Sequence, residues 1–122
     1  MKSKWMEYNG KRILYQDYSN FFFNEEAVKR ELAEVQAIVL NEPENSVLVL
    51  SNLSNTEVTL NLMPIFNEAS RVTKSHVNKT AVLGVTGVKR TLGDLLSKLT
   101  GQPLMYFNNE IEAKEWLTKS HN

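Results

Sequence analysis

The chain has 122 residues, of which 42% are hydrophobic and 23% are charged, and this balance predicts one soluble globular domain with a buried core. Fourteen basic residues offset fourteen acidic ones, which argues against a nucleic-acid partner. The lack of cysteine excludes disulfides, thiol catalysis and thiolate metal sites. No apolar run approaches the roughly 20 residues that span a bilayer, and the N-terminus lacks the pattern of a signal peptide. We therefore expect no membrane span and a cytoplasmic location.

The chain opens with a predicted β-hairpin. Asn9 and Gly10 tolerate positive φ and lie between two segments with the composition of strands. They predict a type I′ turn between antiparallel strands over residues 4–8 and 11–17. The second strand runs into the polar stretch 17–20.

A helix and a buried strand follow the hairpin. Asn24 can cap a helix, and the apolar residues after it recur at helical spacing until Pro43 approaches. We expect this helix to end near residue 41. The apolar, β-branched run from Val47 to Leu50 then predicts a strand that is covered on both faces.

The middle of the chain fits two patterns. Residues 56–62 alternate as in a strand, whereas a longer set of apolar residues has helical spacing and is expected to pack in the core. That set is Leu62, Ile65, Phe66, Ala69 and Val72. Pro64 is tolerated only in a first helical turn. We therefore expect a loop over 53–59 and a helix over about 60–76.

Three more elements and a last helix complete the predicted domain. Residues 80–86 predict a buried strand, residues 88–100 a helix that Gly101 ends, and residues 104–107 a last strand. Asn109 has capping-box spacing to Glu112, which places a final helix after it. That helix is expected to be buried through Ile111, Ala113, Trp116 and Leu117. The order β-β-α-β-α-β-α-β-α predicts an α/β fold.

Four stretches of the chain together resemble the STAS/SpoIIAA-like family. They are the hairpin and bend over 9–19, the strand and loop over 46–53, the strand and turn over 81–90, and the closing segment 107–117. Anti-sigma-factor antagonists have this fold, and SEC14-like lipid-binding proteins are often grouped with them. The closing segment is typical of small uncharacterised bacterial members.

The resemblance implies a single SpoIIAA-like domain over residues 1–122. It implies a mixed five-stranded sheet with an N-terminal hairpin and four helices, and no catalytic machinery. Antagonists carry an Asp-Ser-Ser-Gly-type phosphorylation loop after the central strand. This chain has Leu53-Ser54-Asn55-Thr56-Glu57 there, so a phosphoserine is not carried over.

The turn over residues 84–90 is one candidate site. It joins a strand to a helix N-terminus, where free backbone N–H groups and the helix dipole favour anions. Thr86 and Gly87 lie in the turn, and Lys89 and Arg90 add positive charge, so the turn could bind a phosphate or a carboxylate. The alternative is a tight turn followed by a solvated basic first helical turn.

The bend over residues 17–23 is the other candidate site. Phe21, Phe22 and Phe23 cannot all point inward between a polar bend and a helix cap, so at least one is expected to line a groove or an interface. The alternative is that they close the end of the sheet and staple the helix. Asp17 could act as an acid or a base, but the favoured alternative is that it accepts hydrogen bonds from loop N–H groups.

The sequence contains no nucleophile–base pair and no metal-ligand spacing. His76 and His121 are its only histidines. We therefore expect no enzyme activity, no metal and no cofactor. Two functions stay open: a non-enzymatic interaction or regulatory module that binds a protein partner or itself, and a carrier of a small ligand, either a lipid or an anionic metabolite, between the bend and the turn.

Overall fold

A computed structural model describes residues 1–101 and 104–119, except for the side chains of Val88, Leu92, Leu96, Leu99 and Thr100. His121 lies outside the described residues. The described chain forms one mixed sheet whose strand order follows the sequence. The strands are β1 (Lys4–Tyr8), β2 (Lys11–Asp17), β3 (Val47–Asn52), β4 (Val77–Leu83) and β5 (Met105–Phe107). The first pair is antiparallel and every later pair is parallel, so the predicted five-stranded mixed sheet is confirmed.

Four helices connect and follow the strands, as predicted. They are α1 (Glu25–Leu40), α2 (Met63–Thr73), α3 (Val88–Thr100) and α4 (Glu110–Thr118), and a 3₁₀ turn over Leu60–Leu62 leads into α2. Both predicted caps are present. The Asn24 side chain accepts a hydrogen bond from the Ala27 N–H at 3.1 Å, and the Asn109 side chain accepts one from the Glu112 N–H at 2.8 Å. Each bond satisfies a donor that the first helical turn leaves without a partner.

The predicted hairpin is confirmed, with strands of the expected lengths. Asn9 and Gly10 have φ values of 50° and 75°, as both central residues of a type I′ turn require. Tyr8 pairs with Lys11 next to the turn. The turn therefore sets the register of the first strand pair.

The helices cover the sheet on two sides because successive strand residues face opposite ways. On one side, α4 packs Ala113 and Leu117 against Ile13 and Leu50 of the sheet. On the other side, α1 packs against alternate residues of the same strands, and α2 packs against α1 and α3. The sheet is thus the middle layer of three.

Three sequence predictions are wrong in detail. β4 runs over Val77–Leu83 rather than 80–86, and α2 ends at Thr73 rather than near residue 76. Polar Lys79 fits within β4 because its ammonium donates hydrogen bonds to the Trp116 and Lys119 carbonyls at the end of α4, both at 3.2 Å. Ile111 was expected to be buried but is 66% exposed, since two residues along a helix turn it away from Ala113.

Candidate functional site

A cavity of about 140 Å³ lies between the sheet and helices α1, α2 and α3, and we name it the sheet–helix cavity. Most of its lining is apolar. Among the described residues, the apolar side chains of the helices include Leu32, Val35, Val39, Met63, Phe66 and Ala69, and those of the strands include Val49, Val77 and Val82. An engineered protein cavity of about 150 Å³ admits benzene, so this one has room for a molecule of that order of size.

The sheet face that lines the cavity includes a row of four residues that crosses the sheet, and we name this row the floor. Gln16, Ser51, Val82 and Tyr106 are neighbours in register on β2, β3, β4 and β5. All four line the cavity. They share a face because residues opposite each other on adjacent strands point the same way. The floor therefore presents three polar side chains and one apolar side chain to a mostly apolar space.

The polar group at the β2 end of the floor is a three-residue cluster. The Gln16 Oε1 atom accepts a hydrogen bond from the Tyr18 hydroxyl at 3.0 Å and another from the Ser51 hydroxyl at 3.2 Å. Tyr18 is 2% exposed, and its ring meets the Phe66 ring edge-on with 6.0 Å between centroids. Burial, and then the negative charge of Glu31, raise the pKa of Tyr18, so its hydroxyl stays protonated.

The other end of the floor is Tyr106, whose hydroxyl donates a hydrogen bond to Asp94 Oδ1 at 3.0 Å. The Arg90 guanidinium lies over its ring, 4.6 Å from the centroid. Burial and the Asp94 carboxylate raise the pKa of Tyr106 to about 12. The ring comes so close to α3 that a Cβ on Gly93 would lie 2.5 Å from the Tyr106 hydroxyl oxygen. Glycine at position 93 therefore permits this contact.

Lys89 is the predicted site residue that lines the cavity, and it is the charged member of the described lining. Its Nζ atom lies 3.1 Å from the Leu53 carbonyl oxygen and 3.5 Å from that of Gly84. These carbonyls directly follow β3 and β4, so the ammonium contacts the loops at the carboxyl ends of two neighbouring strands. Its charge is directed at backbone oxygens of the loops.

The rest of the predicted turn lies on the surface. Thr86 and Gly87 are exposed, and Gly87 caps α3 without a side-chain hydrogen bond. Arg90 is exposed and stacked on Tyr106. Lys89 and Arg90, the two cations of the turn, thus have partners within the chain. The binding of an anion at this turn stays a prediction.

The predicted bend separates into a structural part and an exposed part. Asp17 Oδ1 accepts a hydrogen bond from the Ser19 N–H at 3.0 Å and lies 3.5 Å from Lys2 Nζ, which confirms its expected role with loop N–H groups. Phe21 is half-buried against the α1–α2 core, with Lys2 over its ring. Phe22 and Phe23 are 60% and 78% exposed. The expectation that the three rings do not all point inward is confirmed, and none of them is in the described lining of the cavity.

Sequence reasoning missed the floor residues Gln16, Ser51 and Tyr106. The sequence did contain a signal for Gln16 and Ser51. Alternation along each strand places them on the same face as the apolar residues Leu14 and Val49, yet both are polar. Their pairing could not be inferred without the register between β2 and β3.

Two further findings concern the described residues as a whole. Across residues 1–101 and 104–119, no group of three or more His, Cys, Asp or Glu side chains could hold a metal ion. None of the helices in the same part of the chain is long and apolar enough to cross a membrane.

A scan against protein-family models finds no match, and no curated protein matches the sequence. Among solved structures, the chain is similar to the crystal structure of an uncharacterised protein of the DUF3478 family, with a SpoIIAA-like fold, from Shewanella loihica PV-4. The TM-score is 0.69 at 9% sequence identity, over 94% of this chain and 91% of that chain. At this identity the likeness concerns the fold alone. The protein therefore has the SpoIIAA-like fold, with a mixed five-stranded sheet and four helices.

Proposed function

We propose that this protein is a non-enzymatic binding module that holds a small, largely apolar molecule in the sheet–helix cavity. The observation that carries the proposal is the cavity itself, about 140 Å³ of space with a mostly apolar lining and a few polar groups on its floor. Binding sites for small molecules are typically concave and apolar, with a few polar groups that orient the ligand.

The size of the cavity limits the ligand and its affinity. Drug-sized ligands occupy pockets of roughly 300 Å³ or more, so a smaller molecule, on the order of six to ten non-hydrogen atoms, fits here. Burying a ring of six carbons at about 0.8 kcal/mol per carbon corresponds to roughly 5 kcal/mol, or a Kd of about 0.2 mM. Binding of a minimal probe should therefore be measured at millimolar concentrations.

The test is a titration of the ¹⁵N-labelled protein with benzene, followed by amide chemical shifts. We expect the largest shifts at lining residues such as Val35, Val49 and Phe66. Ala69→Leu adds three carbons beside the cavity and should weaken benzene binding by about tenfold or more. Ala33→Leu makes the same change on the exposed face of α1 and is the matched control. Shifts confined to the surface, or equal affinity in Ala69→Leu, would show that the cavity is not the site.

A second candidate function is self-association through the bend. Phe22 and Phe23 are adjacent and exposed. The backbone beneath them is held, since the Phe22 N–H donates to the Asn55 carbonyl at 2.9 Å and the Glu57 N–H donates to the Phe22 carbonyl at 2.7 Å. Exposed aromatic pairs on an ordered backbone favour an interface.

Light scattering coupled to size-exclusion chromatography tests this second candidate. A dimer that becomes a monomer in Phe23→Ser would support it. A monomeric wild-type protein at high concentration, or a dimer that Phe23→Ser leaves intact, would contradict it.

A further inference from the structure

We infer that the ligand of the sheet–helix cavity carries an uncharged hydrogen-bond acceptor, such as a ketone or amide carbonyl oxygen, and that the Gln16 side-chain amide binds it. This inference rests on the proposed function, because it assigns a chemical class to the ligand of that cavity.

The side-chain amide of Gln16 can both accept and donate hydrogen bonds. An amide oxygen has two lone pairs, and Gln16 Oε1 uses both, one for the Tyr18 hydroxyl and one for the Ser51 hydroxyl. The Nε2 group has two N–H donors, and among the contacts of the described residues it donates no hydrogen bond. Because Gln16 lines the cavity, these two N–H groups can donate hydrogen bonds to a ligand there. A hydrogen-bond acceptor atom on the ligand would accept from them.

The three-residue cluster holds the Gln16 side chain in place. Gln16 and Ser51 are partners in the β2–β3 register, and Ser51 and Tyr18 are both buried. Two hydroxyls from different segments bind the same amide oxygen, so the side chain is held before any ligand arrives. A donor that is already ordered loses little conformational entropy when it binds.

The three-residue cluster carries no positive charge. Gln16, Tyr18 and Ser51 are all uncharged, and an ionised carboxylate that leaves water is costly without a paired cation. Lys89 also lines the cavity, but its ammonium donates to the Leu53 and Gly84 carbonyls. The raised pKa of Tyr18 has burial as its main cause, which indicates surroundings that disfavour negative charge.

The rest of the ligand is expected to be apolar, because the helices cover the cavity with apolar side chains. Opposite the floor, α1 contributes Leu32 and Val35, and α2 contributes Phe66 and Ala69. A compact hydrocarbon body packs against these side chains while one carbonyl oxygen reaches Gln16. Small cyclic ketones and amides have this combination.

The experiment compares cyclohexanone with methylenecyclohexane, which has the same shape but a CH₂ group in place of the carbonyl oxygen. We expect cyclohexanone to bind the wild-type protein several-fold to about tenfold more tightly, the effect of one hydrogen bond. The ¹⁵N and ¹H signals of the Gln16 side-chain amide should shift with the ketone and not with the alkene. Cyclohexanecarboxylate at neutral pH should bind more weakly than cyclohexanone.

Gln16→Leu should remove the preference for the ketone and leave the affinity for the alkene. Asn67→Leu, an amide-to-leucine change on α2 outside the described cavity lining, is the control and should keep the preference. Thermal unfolding of both variants checks that they fold. If Gln16→Leu does not fold, the affinities of the wild-type protein for the two probes and its Gln16 amide signals still test the inference.

The outcomes separate this inference from the proposed function. Equal binding of ketone and alkene inside the cavity, tighter binding of the carboxylate, or a ketone preference that survives Gln16→Leu would each overturn the inference and leave the proposed function standing. If neither probe shifts the amides of the cavity lining, the proposed function fails as well.

Discussion

Replacing Gly84 with alanine should destabilise the protein much more than the same replacement at Gly10. Both residues have positive φ, 76° at Gly84 and 75° at Gly10. Their surroundings differ. A Cβ on Gly84 would lie 2.5 Å from both the backbone nitrogen and the side-chain oxygen of Ser54, whereas a Cβ on Gly10 would meet nothing within 4 Å.

The size of the two effects follows from this difference. A left-handed conformation costs an alanine about 1–2 kcal/mol at either position. At Gly84 the loop after β3 must also move away from the turn after β4, and overpacking of this kind costs about 1–3 kcal/mol more. A domain of this length loses about 4 °C of Tm per kcal/mol. We therefore expect Tm to fall by about 4–8 °C in Gly10→Ala and by about 8–20 °C in Gly84→Ala.

Thermal and urea unfolding followed by circular dichroism measure both variants. Adding Ser54→Ala to Gly84→Ala should restore only part of the loss, because the Ser54 backbone nitrogen stays in the way. Equal losses in Gly10→Ala and Gly84→Ala would refute the reasoning, since strain at positive φ would then explain both.

Three further changes test other contacts. Glu31 is buried and accepts hydrogen bonds from the Ser3 N–H at 2.9 Å and the Lys2 N–H at 3.2 Å. Burial alone would raise the pKa of Glu31, but the hydrogen bonds from Ser3 and Lys2 lower this pKa overall. The charged Glu31 therefore stabilises the fold above the ordinary carboxyl pKa, and this stabilisation is lost as the pH falls through the lowered pKa of Glu31. Glu31→Gln should therefore cost about 1–3 kcal/mol in urea unfolding at about pH 7 and less at about pH 3, and an equal cost at both would contradict this. Asn24→Ala should lower the free energy of unfolding by about 1 kcal/mol through loss of the α1 cap, and an unchanged urea midpoint would count against that cap. Asp94→Asn should lower the pKa of Tyr106 but leave it above its ordinary value, because burial, the largest single cause, remains. A ¹³C NMR titration of the ring would show this, and an unchanged pKa would argue against the Asp94 contact.

Local signals in the sequence were sufficient for much of the fold. Asn9 and Gly10 predicted the hairpin because few residues adopt positive φ at both turn positions. Asn24 and Asn109 predicted two helix starts because a capping side chain acts within one turn of itself. These features depend on neighbours in sequence, so they can be read without the tertiary structure.

The bounds of β4 depend on partners that are distant in sequence. The apolar run 81–85 looked like the centre of a strand, but Val77 pairs with Val47 and the chain turns at Gly84. Lys79 would be unfavourable in a buried strand without the carbonyls of α4 that receive its hydrogen bonds. Composition and periodicity do not indicate such contacts between residues that are distant in sequence.

The cavity could not be predicted for the same reason. Gln16 and Ser51 are ordinary polar residues in their own segments, and they become a site only where β2 and β3 pair beneath α1 and α2. The sequence pointed instead to the ends of strands, where Lys89 was the one predicted site residue that the described lining includes.

The central claim is that the sheet–helix cavity holds a small apolar molecule, and intermolecular NOEs from bound benzene test it most directly. The account predicts NOEs from the benzene protons to the methyl groups of Val35, Val49 and Val82, which line the cavity on two sides. NOEs only to the exposed rings of Phe22 and Phe23, or none to the methyl groups of the lining, would contradict it.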